Sequence, residues 1–351
     1  MSGHGATVPA APTLTPVPAR TYVLYTPVLR SSHLERLAPV PGFRLLASDR
    51  HPDCDDALLA AAPFPVRLAG LDALEADLRA DPPDVLEVTE PLWTAQWPAS
   101  LRLADAVPGA RLVTDAIEVL PPPSAPDAGR LAAVAYGSVA AQRAYATAYP
   151  GAGWAQTVVE ERRGRCRLCF PEGEVAEAVR EVVFAAEFSE RKAIDLLMAA
   201  WDQAAPDGWR LRLLGWGPRT QQVLAWGAGR PDVDVVVAAE RHVVHDALCR
   251  AAVVVLPSRR VPGWREQVGL SLVEGLAHGC ALLTTDETGL AEGLQASGHT
   301  VVEAGSGAAL SAGLVTALAQ APLVKALPTG DGDGDGDGDS RQRVQRWLSS
   351  A

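Results

Sequence analysis

From residue 180 onward the sequence alternates between apolar runs of strand length and segments of helix length. Val182–Phe188 (VVFAAEF) reads as a strand and Lys192–Ala204 as the helix that follows it. Leu211–Leu214 is a strand ending at Gly215-Trp216-Gly217, and Val233–Ala239 and Ala251–Leu256 are two more, with a helix from His242 to Arg250 between them. Leu270–His278 is a helix closed by Gly279 at the position after its C-cap. Ala281–Thr285 and Thr300–Val302 complete the strands, and Gly307–Gln320 is a last helix. Strand and helix in strict alternation predict an open, doubly wound parallel sheet, and roughly 150 residues is the ordinary size for one such domain.

The first half is less regular. Strands are predicted at Thr21–Tyr25, Phe43–Ala47, Val66–Leu68, Asp84–Val88 and Arg111–Thr114, with long helices at Asp72–Ala80 and Gly129–Ala148. These fit a second α/β domain, and a chain of 351 residues is comfortable for two cores. Pro150–Gly173 is rich in Gly, Arg and Pro without periodicity and is taken as the domain linker. The expected division is a flexible arm at 1–20, a first Rossmann-like domain at 21–172, a second at 173–327, an Asp/Gly linker at 328–340 and a short terminal helix at 341–351. In that last helix Val344, Trp347 and Leu348 stand at helical spacing, suited to docking back.

Charge and cysteine usage narrow the function classes. The net charge of −11, from 42 acidic and 31 basic residues, is opposite to what a nucleic-acid binder shows. No run approaches the ~20 apolar residues of a membrane span, and residues 1–20 lack the features of a secretory signal, so the expectation is a cytoplasmic protein without a transmembrane segment. The five cysteines are scattered and odd in number, which makes no disulfide framework. Cys166 and Cys169 have zinc-like spacing but no second pair, His242 and His245 stand three apart without an acidic ligand pattern, and no metal is expected. The acidic run Asp331–Asp339 misses the glutamate that would close a calcium loop and reads as linker.

The stretch from Pro257 to Gly279 carries the chemistry. A strand ends at Pro257, a loop brings Arg259, Arg260, Arg265 and Glu266, and a helix begins near Gly269. Ligands of open α/β sheets bind beyond the carboxyl ends of strands, and a helix start with its free N–H groups suits a diphosphate. Gly269 lets the backbone approach a ligand with no Cβ between them. Glu266 in the loop and Glu274 inside the helix would face one crevice at different depths, and a carboxylate accepts two hydroxyl hydrogen bonds from a sugar or ribose diol.

Glu266-x7-Glu274, followed by Gly279, the strand at 281–286, Gly289 and Glu292, resembles the donor-site signature of the retaining family 4 glycosyltransferases. Glu190-Arg-Lys192-Ala-Ile-Asp-Leu-Leu197 and Leu211–Pro218 are similar to that family's phosphate-binding strand–loop–helix and its next strand and turn, so that the likeness covers most of 180–320. The resemblance implies a GT-B fold of two facing Rossmann-like domains and transfer of a sugar from a nucleotide-sugar donor with retention of configuration. The acceptor would be a glycan, a lipid-linked molecule or a small molecule, and no cofactor or metal is implied. By that resemblance Glu266 holds sugar hydroxyls, Glu274 the ribose and Lys192 the diphosphate, while Val268, Gly269, Leu270 and Gly215 line the donor. Asp115, after the strand Arg111–Thr114, is the candidate for orienting the acceptor.

The likeness has departures. Glu187 stands where the family has an arginine, so Arg191, Arg259, Arg260 or Arg265 would have to supply the charge. Ala193 replaces a glycine, a mild change. Tyr25–Ser32 offers no glycine-rich loop, and Val88-Thr89-Glu90 lacks the family's histidine. These departures motivate a rival expectation, a GT-B protein that binds a nucleotide or glycan without turnover.

Overall fold

The computed structural model describes residues 21–29, 34, 42–51, 54, 56–89, 97–116, 127–160, 166, 176–204, 206–262, 264–321, 324–325 and 340–350. The arm at 1–20, the loop beyond Leu29, Glu90, Cys169 and the acidic run Asp331–Asp339 lie outside them.

Two parallel sheets organise the chain. The first has seven strands in the order β3-β2-β1-β4-β5-β6-β7: β1 (Tyr22–Leu29), β2 (Phe43–Arg50), β3 (Val66–Leu68), β4 (Val85–Thr89), β5 (Arg111–Ala116), β6 (Ala133–Tyr136) and β7 (Ala155–Val158). Helices α1 (Asp56–Ala60), α2 (Leu71–Ala80), α3 (Trp97–Ala106) and α4 (Val139–Ala148) cross between them. The second has six strands in the order β11-β10-β9-β12-β13-β14. Its strands are β9 (Val179–Ala185), β10 (Arg210–Gly215), β11 (Val233–Val237), β12 (Ala251–Leu256), β13 (Ala281–Thr285) and β14 (Thr300–Val302). Its helices are α5 (Ile194–Ala204), α6 (Thr220–Gly227), α7 (Arg241–Arg250), α8 (Leu270–Ala277), α9 (Ala291–Ala296) and α10 (Gly307–Gln320). Each sheet reverses its order once, at β1/β4 and at β9/β12, and those reversals open the crevices in which such sheets bind ligands.

Burial explains the patterns. All six residues of β12 are buried, which is why the strand reads as an unbroken apolar run rather than an alternation. Around it Val182, Phe184, Leu213, Leu272 and Leu283 form one core. The first sheet has a core on each face, one around Tyr25, Leu86 and Tyr145 and one around Tyr22, Leu24 and Phe43. The second of these is completed by α11 (Ser340–Ser350), whose Val344 and Leu348 are buried there. Arg111 also donates to the carbonyl of Leu348 at 2.6 Å. The chain therefore returns to its first sheet after finishing the second. Beside these crossings β8 (Ala176–Glu177) and β15 (Val324–Lys325) pair antiparallel.

Several expectations need correction. The helix expected at Gly129–Ala148 is a 3-10 turn (Ala128–Arg130), the strand β6 and the helix α4. Alanine gave the segment a helical look, but Ala133–Tyr136 is buried between β5 and β7, and Ser138 caps α4 by accepting from Ala141 N at 3.1 Å. The stretch taken as linker contains β7, a short outermost strand whose residues are only part-buried, so it carries no strong apolar signal. The strand expected to run to Phe188 ends at Ala185, and the helix expected from Lys192 begins at Ile194, leaving Lys192 in a loop. Among the described residues no helix is long and apolar enough to cross a membrane.

Two measurements test this packing. Leu348→Ala should lower stability by about 2–5 kcal/mol in denaturant unfolding, the usual cost of truncating a buried leucine; a neutral result would mean that α11 does not cover the first sheet. Glu181 on β9 is buried with one carboxylate oxygen lacking a hydrogen bond, and burial raises its pKa, offset in part by Arg212, Arg250 and Arg210. A carboxyl raised on folding costs stability as pH climbs above its ordinary value of 4.5, and the cost vanishes below that value. Glu181→Gln should therefore raise the thermal midpoint at pH 7, with the gain shrinking as the pH approaches 4.5; a loss at pH 7 would refute this.

Candidate functional site

The loops leaving the adjacent strands β9 and β12 form the site. The first runs through Glu187, Arg191 and Lys192 to α5, and the second runs through Ser258, Arg259, Trp264 and Glu266 to α8. Their backbones touch where Arg259 N donates to Arg191 O at 3.0 Å. Lys192 Nζ donates to Glu266 Oε2, and Ser258 Oγ donates to the same oxygen at 2.6 Å. Glu266 is only 6% exposed, so its charge is held by these two donors rather than by water. Trp264 lies beside both cations, with Arg191 Cζ 4.8 Å and Lys192 Nζ 5.1 Å from its ring centroid.

Ala193 turns the first loop with φ of 51°, in the left-handed region that glycine occupies without penalty. The change from glycine thus places a side chain where the backbone disfavours one, and it is less mild than size alone suggests. Gly269, at φ 71°, starts α8; a Cβ there would lie 2.9 Å from Leu256 Cδ2 and 3.0 Å from Leu272 Cδ1. Val268 is buried beside it, whereas Leu270 is 51% exposed at the helix start.

Beside this loop pair opens a pocket of about 380 Å³. Ala186, Glu187, Gly215, Trp216, Leu270 and Ser271 are among its walls, with Arg241 and Glu274. Glu274 is 7% exposed and is gripped by the guanidinium fork of Arg241, with contacts of 2.8 and 3.0 Å. Gly215 fits because a Cβ there would fall 2.0 Å from the carbonyl oxygen of Ala186. Trp216, 68% exposed, offers a large flat apolar face at the rim.

The structure thus brings together Lys192, Glu266, Gly269, Leu270, Glu274, Gly215 and Arg191, while Val268 supports them from within. The remaining arginines are spoken for elsewhere. Arg259 Nη2 binds Asp195 at 2.6 Å, and Arg260 and Arg265 both bind the fully buried Glu287 at 2.9 Å. Glu187, the departure from the expected arginine, is itself bound by Arg191 Nε at 3.0 Å. Asp115 lies on the other sheet, near the carboxyl end of β5. Sequence reasoning missed Arg241, Ser258 and Glu287. The position of Arg241 just beyond β11, at a carboxyl end like the others, was the available signal for one of them.

Residues 179–320, from β9 to α10, match the family described as "Glycosyl transferases group 1". Among curated proteins none matches the chain in sequence. Solved structures align over nearly its whole length. A glycosyltransferase from Rickettsia africae has TM-score 0.64 and 10% identity, covering 94% of this chain and 92% of its own. Anabaena HepE, solved with UDP and glucose, has TM-score 0.60 and 14% identity, covering 94% and 99%. Sucrose-phosphate synthase from Thermosynechococcus elongatus has TM-score 0.59 and 15% identity, covering 94% and 96%.

The ion pair at the base of the site makes a direct prediction. Lys192→Met leaves the buried Glu266 without its cation and should cost about 3 kcal/mol, the low end for broken buried pairs. Adding Glu266→Gln should return most of that loss in a double-mutant cycle; purely additive losses would mean the two charges do not interact. In architecture the chain has the GT-B fold, two Rossmann-like sheets with their helices facing a cleft.

Proposed function

We propose that this protein is a glycosyltransferase of the retaining, family 4 kind, moving a hexose from a nucleotide-sugar donor to a glycan, lipid-linked or small-molecule acceptor. The observation that carries the reading is the placement of two buried carboxylates, Glu266 and Glu274, before and within one helix, with Lys192 on the first and a pocket at the second. In this reading 21–172 is the acceptor side and 173–327 the donor side.

The pocket beside Trp216 and Gly215 takes the base, and Glu274 accepts the ribose hydroxyls, with Arg241 fixing its carboxylate. The diphosphate lies across the start of α8 at Gly269 and Leu270, where helix N–H groups and the dipole favour an anion. Lys192 then exchanges Glu266 for phosphate oxygens, and Glu266, released from its cation, accepts hydroxyls of the transferred sugar. Transfer breaks the bond between the anomeric carbon and the diphosphate oxygen. The acceptor hydroxyl oxygen bonds to that carbon on the same face, and its proton passes to the departing phosphate. Asp115, across the cleft, orients the acceptor. Charge on the leaving group is met by Lys192, Arg191 and the helix end, which do the work a metal would otherwise do. The structurally similar HepE, solved with UDP and glucose, makes uridine diphosphate sugars the first donors to try.

A binding protein without turnover is the second reading, favoured by the pairing of every arginine and lysine of the two loops with a carboxylate. Calorimetry with UDP, GDP, ADP and TDP and their sugars, on wild type and Glu274→Ala, tests both. Selective binding of one nucleotide, weakened at least about tenfold in the variant, together with slow hydrolysis of its sugar, is expected. Binding without any hydrolysis or transfer would leave the second reading, and no nucleotide binding would sink the donor site itself.

A further inference from the structure

At the end of α8 opposite to Glu266 stands a cluster that sugar transfer leaves unused. Cys166 lies before the second sheet, His245 in α7, and His278 at the C-cap of α8. One ligand atom from each falls within 4.8 Å of the others. Cys166 Sγ is 3.3 Å from His245 Nε2, and the two imidazoles meet edge to face with centroids 5.2 Å apart. A tetrahedral zinc ion, with sulfur at about 2.3 Å and nitrogen at about 2.0–2.1 Å, sets its ligand atoms roughly 3.3–3.6 Å apart. Cys166 Sγ and His245 Nε2 are at that spacing already, and the His278 nitrogen lies within 4.8 Å of both.

The surroundings orient both rings. His278 Nδ1 is 2.7 Å from the carbonyl oxygen of Glu274, which only accepts, so Nδ1 carries the proton and the lone pair is on Nε2. His245 Nδ1 faces Asp246 Oδ1 at 3.5 Å while its Nε2 faces the thiol. A carbonyl or carboxylate behind the second nitrogen is the arrangement that fixes a metal-binding imidazole in its tautomer. Cys166 is anchored through its main chain, whose N–H donates to Ala277 O at 3.0 Å.

We propose that Cys166, His245 and His278 form a site for a divalent transition metal of the zinc class, its fourth position taken by water. One thiolate and two imidazoles are the donor set that suits zinc, whereas magnesium and calcium require oxygen ligands. The ion ties Cys166, ahead of the second sheet, to the middle of α7 and the end of α8, and so braces the helix that carries Glu274. It stands at the far end of α8 from Lys192 and Glu266 and takes no part in the transfer step itself. The sequence hid the site because its ligands come from three separate segments, and each neighbour at suggestive spacing, Cys169 for Cys166 and His242 for His245, pointed to a local pair instead.

The test uses the full chain, reduced and stripped with a chelator, titrated with Zn²⁺ against a chromophoric competitor, and with Co²⁺ followed by absorbance. One equivalent of Zn²⁺ should bind and raise the thermal midpoint. Cys166→Ser and His245→Ala should each weaken binding by more than about tenfold, the least that even an outer-shell partner contributes. His242→Ala, at an exposed position, should leave it unchanged. The cobalt form should show a thiolate-to-metal charge-transfer band that Cys166→Ser abolishes, with circular dichroism establishing that the metal-free variants are folded. Absence of stoichiometric binding, binding that survives both substitutions, or a cobalt spectrum without the thiolate band would each overturn the proposal.

Discussion

The pairing of β9 with β12 at the centre of the second sheet is the constraint on which the site depends. Val182 stands beside Val253 and Val183 beside Val254, all fully buried, so the two strands leave the core in fixed register. The chain runs one way from β9 through β10 to β11, and the other way from β12 through β13 to β14. The crossover helices therefore diverge at this one place, and the loops that leave it face each other across a gap. Lys192 meets Glu266 because each stands a few residues beyond the end of one of these strands. A shift of β12 against β9 would separate the pair by a whole residue spacing, about 3.3 Å, far beyond the reach of a hydrogen bond.

Electrostatically, the site is balanced rather than cationic. Arg191 is matched by Glu187, Lys192 by Glu266, Arg259 by Asp195 and Arg241 by Glu274. Such matching satisfies each charge within the protein, and it means that an incoming anion must exchange partners with a carboxylate. Exchange is least costly where an ion pair lies near the surface: Arg191 and Glu187 are 40% and 35% exposed, whereas Lys192 and Glu266 are 14% and 8% exposed and exchange at a higher cost. Arg260 and Arg265 serve another end: both close on Glu287, whose carboxylate has no exposure of its own, and they fix the approach to α9.

The second sheet was legible because its central strand β12 is buried at every residue and its neighbours keep apolar runs where they cross the core, a pattern that stands out in a sequence. Boundaries for β12, β13, β14 and α10 agree with expectation to the residue. The first sheet was less so, for reasons of composition. Ala133–Tyr136 is a strand made largely of alanine, whose helical propensity conceals it, and β7 is too short and too exposed to announce itself. At the site, residues grouped in one stretch were readable from their spacing. Arg241 and Ser258 were not, since only the folded chain reveals that their side chains end on Glu274 and Glu266. The metal-ligand cluster lies at the extreme of this difficulty, because three side chains from three segments leave no local trace.

The small antiparallel pair of β8 and β15 has a mechanical consequence. The chain passes between the lobes twice, once before β9 and again between α10 and α11, and Glu177 pairs with Val324 and Ala176 with Lys325 beside these two passages. A single tether would let the lobes tumble about any axis. Two passages paired to each other stay side by side, so the second tether runs along the first instead of joining the lobes at a separate point.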